Sequence, residues 1–138
     1  MLILIINISG AINSICFLQE SIERIDDEMK DKKPAYYMIN CSHTTHFGNI
    51  FDDLTDEGGY LKRIRSLKPN GSKKTHKELN NSTSLDTGDP EEFGRLLNDL
   101  RKKGGSHLNI LSGCCGTDTR HLKEIITQLR TKFEAPLD

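Results

Sequence analysis

Three cysteines carry the strongest chemical signal in this chain: Cys41 and the adjacent pair Cys114 and Cys115. Three thiolates form a soft ligand set that suits Zn²⁺. A tetrahedral zinc with three protein ligands keeps its fourth position open, as catalytic sites do. With three thiolates the centre is net anionic, so it activates water poorly. A substrate thiol suits it better, because zinc favours the thiolate while the electron-rich site leaves that sulfur nucleophilic. Other readings of the same residues stay open. A Cys₂His₂ site could draw on His43, His46 or His121, which lie close in sequence to the cysteines. Cys114 and Cys115 could be a redox pair, although they lack the Cys-x-x-Cys spacing. The fourth cysteine, Cys16, sits beside Phe17 and Leu18 and reads as ordinary core.

For one metal to collect cysteines so far apart in sequence, the fold must bring them to one rim. The chain repeats a strand-then-helix pattern four times, which implies a parallel sheet with helical crossovers. Leu2–Ile8 reads as a strand buried on both faces. Leu18, Ile22, Ile25 and Met29 form a helical stripe after it. Ala35–Asn40 reads as the second strand, Phe47–Gly59 as a poorly formed helix, and Tyr60–Lys68 as the segment holding the third strand. The polar stretch Pro69–Asp89 lacks periodicity, and a loop of that length in a compact domain is usually functional or disordered.

A helix starts at its end. Asp89 can cap, Pro90 fits the first helical position, and Glu92 stands where a capping box needs it. Phe93, Leu96, Leu97 and Leu100 supply its apolar face, and Gly104-Gly105 stops it. His107–Leu111 reads as the fourth strand. A last helix starts near Thr117 or Asp118, with Leu122, Ile125, Ile126 and Leu129 as its buried stripe.

Cys41 thus follows the second strand, and Cys114 and Cys115 follow the fourth. Strand C-termini share one face of a parallel sheet, the face where barrel enzymes keep their sites. Alternate strands stand roughly 10 Å apart, a gap that loop backbone and side-chain reach can mostly close. Neighbouring residues in a strict strand point to opposite faces, so the pair must leave strand geometry to share a metal. Gly113 and Gly116 flank it and supply that freedom.

Composition narrows the function classes. The chain has 138 residues, 35% of them hydrophobic and 6% aromatic, with no Trp, so its core rests mainly on Leu and Ile. A net charge of −1 gives no strong field for nucleic acid or anionic lipid. Met1–Ile8 is too short to span a bilayer and has no preceding basic residues, which makes it a poor signal peptide. The expectation is a cytoplasmic protein without structural disulfides.

At this point the motifs resemble a known family. Gly113–His121, GCCGTDTRH, is similar to the paired-cysteine signature of the zinc-dependent homocysteine S-methyltransferases, and Ile39–His43, INCSH, to the segment carrying their first zinc cysteine. The stretches PNGSKKTHKEL and LDTGDPEEF resemble the family between those motifs. The resemblance runs from about Leu18 to Leu129. Ser112 replaces a usual glycine, Thr44 replaces a common proline, and the first dozen residues match poorly.

The resemblance implies an α/β fold, the C-terminal half of a TIM (β/α)₈ barrel with four βα units. Residues 1–138 would then be a partial homocysteine-binding domain with the N-terminal half absent. It implies methyl transfer from a sulfonium or betaine-type donor, such as S-methylmethionine, S-adenosylmethionine or betaine, to the thiol of homocysteine, forming methionine. Cys41, Cys114 and Cys115 take the zinc-ligand roles. Gly113 would set its backbone beside the substrate, and Asn40 would line the pocket. The alternative is a non-catalytic truncated remnant that retains zinc binding. Half a barrel leaves open sheet edges, so self-association or a separate N-terminal half is expected.

Overall fold

The computed structural model describes residues 3–7, 15–52, 59–104 and 107–130. Four strands form one parallel sheet in sequential order: β1 (Ile3–Asn7), β2 (Tyr36–Asn40), β3 (Ile64–Lys68) and β4 (Ile110–Leu111). The expected parallel pairing therefore holds, and an α-helix follows β1, β3 and β4. β2 and β4 are shorter than their sequence ranges, and the outer residues of Leu2–Ile8 lie outside the described ones. The register runs Asn7 to Asn40 to Lys68, which aligns the C-terminal ends of β1, β2 and β3 at one edge. A register shift between Tyr37 and Met38 adjusts the pairing of β2 with β3.

Burial alternates along β2. Tyr37 and Ile39 are fully buried, whereas Tyr36, Met38 and Asn40 are half-buried. One face of the sheet thus meets the helices. The helix α1 (Ile15–Met29) buries Leu18 and Ile22 there, with Ile25 packed against the same core. The helix α3 (Pro90–Gly104), which follows the short helix α2 (His76–Asn80), contributes Phe93, Leu97 and Leu100. Asp89 caps α3 as expected, accepting from Glu91 N at 2.9 Å and from Glu92 N at 3.5 Å, and the Glu92 carboxylate pairs with Lys73. Gly105 and the side chain of Cys16 fall outside the described residues, so the expected helix stop is seen only to Gly104.

Two expectations need correction. The helix α4 (Thr119–Arg130) buries His121 and Ile125, but Leu122 and Ile126 are 43% and 51% exposed. The reason is a close helix crossing. A Cβ on Gly94 of α3 would stand 2.8 Å from the Glu124 backbone, so α4 approaches α3 along the side that carries His121 and Ile125. Apolar periodicity alone places the stripe one step off that side. The Phe47–Gly59 segment is not an α-helix where it is described. It forms 3₁₀ turns at Thr44–His46 and Gly48–Phe51 that bury Phe47, Ile50 and Phe51; residues 53–58 lie outside the described ones.

At the sheet's N-terminal edge, the Arg63 fork holds both Asp26 oxygens, at 2.7 and 3.0 Å. Tyr37 donates to Asp26 at 2.9 Å, and Arg63 also reaches the Pro34 carbonyl at 2.7 Å. This network ties α1 to the entries of β2 and β3, well away from the cysteines.

Candidate metal centre

Cys41 directly follows β2 and adopts a left-handed backbone, φ 60°, which few non-glycine residues do. Its N–H donates to the Lys68 carbonyl at 3.1 Å, and Asn70 N–H donates to the Ser42 carbonyl at 3.1 Å. The exit of β2 is thus stitched to the exit of β3 on both sides of the Cys41–Ser42 peptide.

The Cys114-Cys115 loop crosses the same ledge. Cys114 N–H donates to the Pro69 carbonyl at 2.7 Å, and Gly71 N–H donates to the Cys115 carbonyl at 2.9 Å. Backbone from the β3 exit therefore spans the gap between alternate strands. Gly116 turns the chain away at φ +75°, and a Cβ there would stand 2.5 Å from the Asp86 carbonyl oxygen. Thr117 closes the loop by donating to the Cys114 carbonyl at 2.7 Å and lies so close to Gly113 that any side chain there would collide with it.

The three expected sulfurs converge. Cys41 and Cys115 Sγ lie 3.7 Å apart, Cys114 and Cys115 Sγ lie 3.9 Å apart, and all three fall within 4.8 Å of one another. A tetrahedral zinc with bonds of about 2.3 Å to sulfur needs its thiolates about 3.8 Å apart. The donor set fits a metal of that size and softness, and all three cysteines are free. Burial pushes the Cys41 thiol up to about 12, with further upward contributions from hydrogen bonding to Cys115 and Cys114 and repulsion from their charges. A cation at the cluster relieves that repulsion and displaces the protons.

The histidine alternatives do not join the cluster among the described residues. His121 is fully buried. Its Nδ1 accepts from Asp118 N at 3.1 Å and its Nε2 donates to the Thr87 carbonyl at 2.8 Å, so both ring nitrogens are engaged. His43 is buried with Nδ1 accepting from Thr45 N. Burial, then repulsion from His46 and Lys73, lowers it to about 4. His46 faces Ser42, at 3.5 Å. Asn40 is half-buried at the end of β2, beside Lys68 of β3 and directly before Cys41.

The sequence reading missed the internal order of the Pro69–Asp89 stretch. It holds a short helix, α2 (His76–Asn80), capped by Thr75 and Glu78 in a full capping box. The Thr-x-x-Glu spacing was a legible signal for it. His76 Nε2 donates to the Cys41 carbonyl at 2.8 Å. Gly71 and Gly88 bring the two ends of the stretch into backbone contact, and neither leaves room for a Cβ.

Residues 6–129 match the family model described as Homocysteine S-methyltransferase, starting ahead of the Leu18 limit read from the motifs. No curated protein and no solved structure matches the chain.

Proposed function

The chain belongs to the homocysteine S-methyltransferase family, and from that membership we propose zinc-dependent transfer of a methyl group from a sulfonium or betaine-type donor to homocysteine. The observation that carries this reading is the convergence of Cys41, Cys114 and Cys115 at one sheet edge. These three thiolates would hold the zinc. When bound, zinc supplies a Lewis-acidic centre that keeps a substrate thiol deprotonated at neutral pH.

The remaining work belongs to the chain's own groups. The β3-exit ledge holds the two cysteine segments in one place, so the site is formed before substrate arrives. Asn40 would line the pocket next to Cys41, and the Gly113 backbone would border the substrate. The homocysteine sulfur forms a bond to the methyl carbon in line with the departing group. The donor's bond from that carbon to sulfonium sulfur or quaternary nitrogen breaks, and its electron pair stays on that sulfur or nitrogen, which is left uncharged.

The four βα units would form the C-terminal half of a (β/α)₈ barrel. The other half of the barrel would then supply the rest of the pocket wall. No described helix is long and apolar enough to cross a membrane. A cytoplasmic setting, which keeps thiols reduced, fits the chemistry. The test is metal analysis of the purified chain together with a homocysteine methylation assay using each donor class. Absence of zinc, with no methylation in the presence of added zinc and a complementary half, would sink the proposal.

A further inference from the structure

We propose that His76 is a positioning residue for the metal centre: its hydrogen bond to the Cys41 carbonyl keeps Cys41 in the left-handed backbone that turns its sulfur toward Cys115. The inference rests on the zinc reading above and adds a residue to it from outside the cysteine motifs.

An L-residue with a Cβ favours negative φ, so Cys41 at φ 60° needs its surroundings to hold it there. Its N–H is already engaged by Lys68. Its carbonyl receives the His76 Nε2 proton at 2.8 Å, across 35 residues of sequence. A carbonyl oxygen only accepts, so the ring must carry its proton on Nε2. Both ends of the Cys41 residue are therefore held, and its side-chain direction follows from the fixed backbone.

The histidine is itself held in place. It is the first residue of α2, and the helix start is fixed by reciprocal bonds. Thr75 N–H donates to Glu78 Oε2 at 2.8 Å, and Glu78 N–H donates to Thr75 Oγ1 at 3.3 Å. The half-buried ring thus reaches Cys41 from a pre-set position. Without that donor, Cys41 is free to relax toward negative φ, and its sulfur leaves the 3.7 Å approach to Cys115. Outer contacts of this kind commonly set metal affinity by about 10- to 100-fold.

The experiment compares the full chain with His76→Ala, His76→Asn and His76→Gln. Glutamine presents an amide N–H at the reach of Nε2, and asparagine falls short. Zinc affinity is measured by competition with a chromophoric chelator, and the cobalt-substituted proteins are compared by their sulfur-to-cobalt charge-transfer absorbance. Thermal unfolding of each chain in chelator reports folding without metal. The expected result is a loss of zinc affinity of about tenfold or more for Ala and Asn, with weaker charge-transfer absorbance. Gln should stay close to the original chain, and the metal-free melting curves should coincide. Equal affinity in all four proteins overturns the inference, as does an equal loss in Gln and Ala. Failure of the unsubstituted chain to bind zinc or cobalt instead overturns the metal reading itself, and the inference falls with it.

Discussion

The Cys41 and Cys115 sulfurs lie 3.7 Å apart although 74 residues separate them in sequence. Neither strand brings them together by itself. The approach depends on the exit of β3, whose Lys68 and Pro69 carbonyls accept from Cys41 and Cys114 N–H groups respectively. Consecutive residues of one ledge thus anchor both arms of the cluster.

Zinc should bind at about one ion per chain. Cys41→Ala, Cys114→Ala and Cys115→Ala should each lose most of it, and Cys16→Ala should not. Elemental analysis after dialysis against a weak chelator makes the comparison. Full retention in the Cys115→Ala protein would remove the three-thiolate site.

Zinc affinity should fall as pH falls. The Cys41 thiol is pushed up to about 12 without metal, by burial first and by its two cysteine neighbours next. Thiolate ligation at neutral pH must therefore release protons, and acid opposes it. Titration calorimetry in buffers of different ionisation enthalpy counts the protons released. An affinity that stays flat from neutral to strongly acidic pH would exclude thiolate ligands.

Gly116→Ala should loosen the centre and the fold together. Gly116 sits at φ +75°, and an added Cβ would press on the Asp86 carbonyl oxygen at 2.5 Å. Strain of this kind costs on the order of 1–3 kcal/mol. We expect a lower melting temperature and weaker zinc binding. An unchanged melting curve with unchanged zinc affinity would mean that the Cys114-Cys115 loop does not depend on its contact with the Asp86 segment.

Asp26→Asn should destabilise the chain by about 2 kcal/mol at neutral pH, since it removes charged hydrogen bonds at a site only 15% exposed. Burial alone would raise the Asp26 carboxyl, but hydrogen bonds from Arg63 and Tyr37 outweigh it and hold it below its usual 3.8. For a depressed carboxyl, the stabilisation is present above the unfolded value and disappears as pH falls through the folded one. Denaturant titrations from pH 7 down to pH 2 should therefore show an acid-side loss that the Asn variant lacks. Parallel pH profiles for the two proteins would contradict this.

The isolated chain should transfer little or no methyl group, and it should associate or aggregate. Leu122 and Ile126 on α4 and Ile110 on β4 are exposed, and exposed apolar surface favours association. Light scattering gives the mass, and a radiolabelled methyl donor gives the activity. A monomer with robust activity would show that these residues complete a site alone, and the half-barrel proposal would be abandoned.

The sequence by itself determined the strand order, the parallel pairing and the three cysteines, because these depend on local composition and on motifs with fixed spacing. Apolar runs bounded by turn residues reveal strands, and the flanking Gly113 and Gly116 reveal where the chain must turn at the cysteine pair. Tertiary structure alone decided which side of α4 is buried, since the close approach at Gly94 overrides the apolar stripe. It also decided how the sulfurs meet. The bonds from Cys41 to Lys68 and from Cys114 to Pro69 join segments distant in sequence through backbone N–H and carbonyl groups, and the His76 ring reaches a backbone carbonyl. Side-chain patterns hold no record of which carbonyl will face which N–H, so the Thr75–Glu78 spacing marks α2 within the Pro69–Asp89 stretch but the fold decides where that stretch packs.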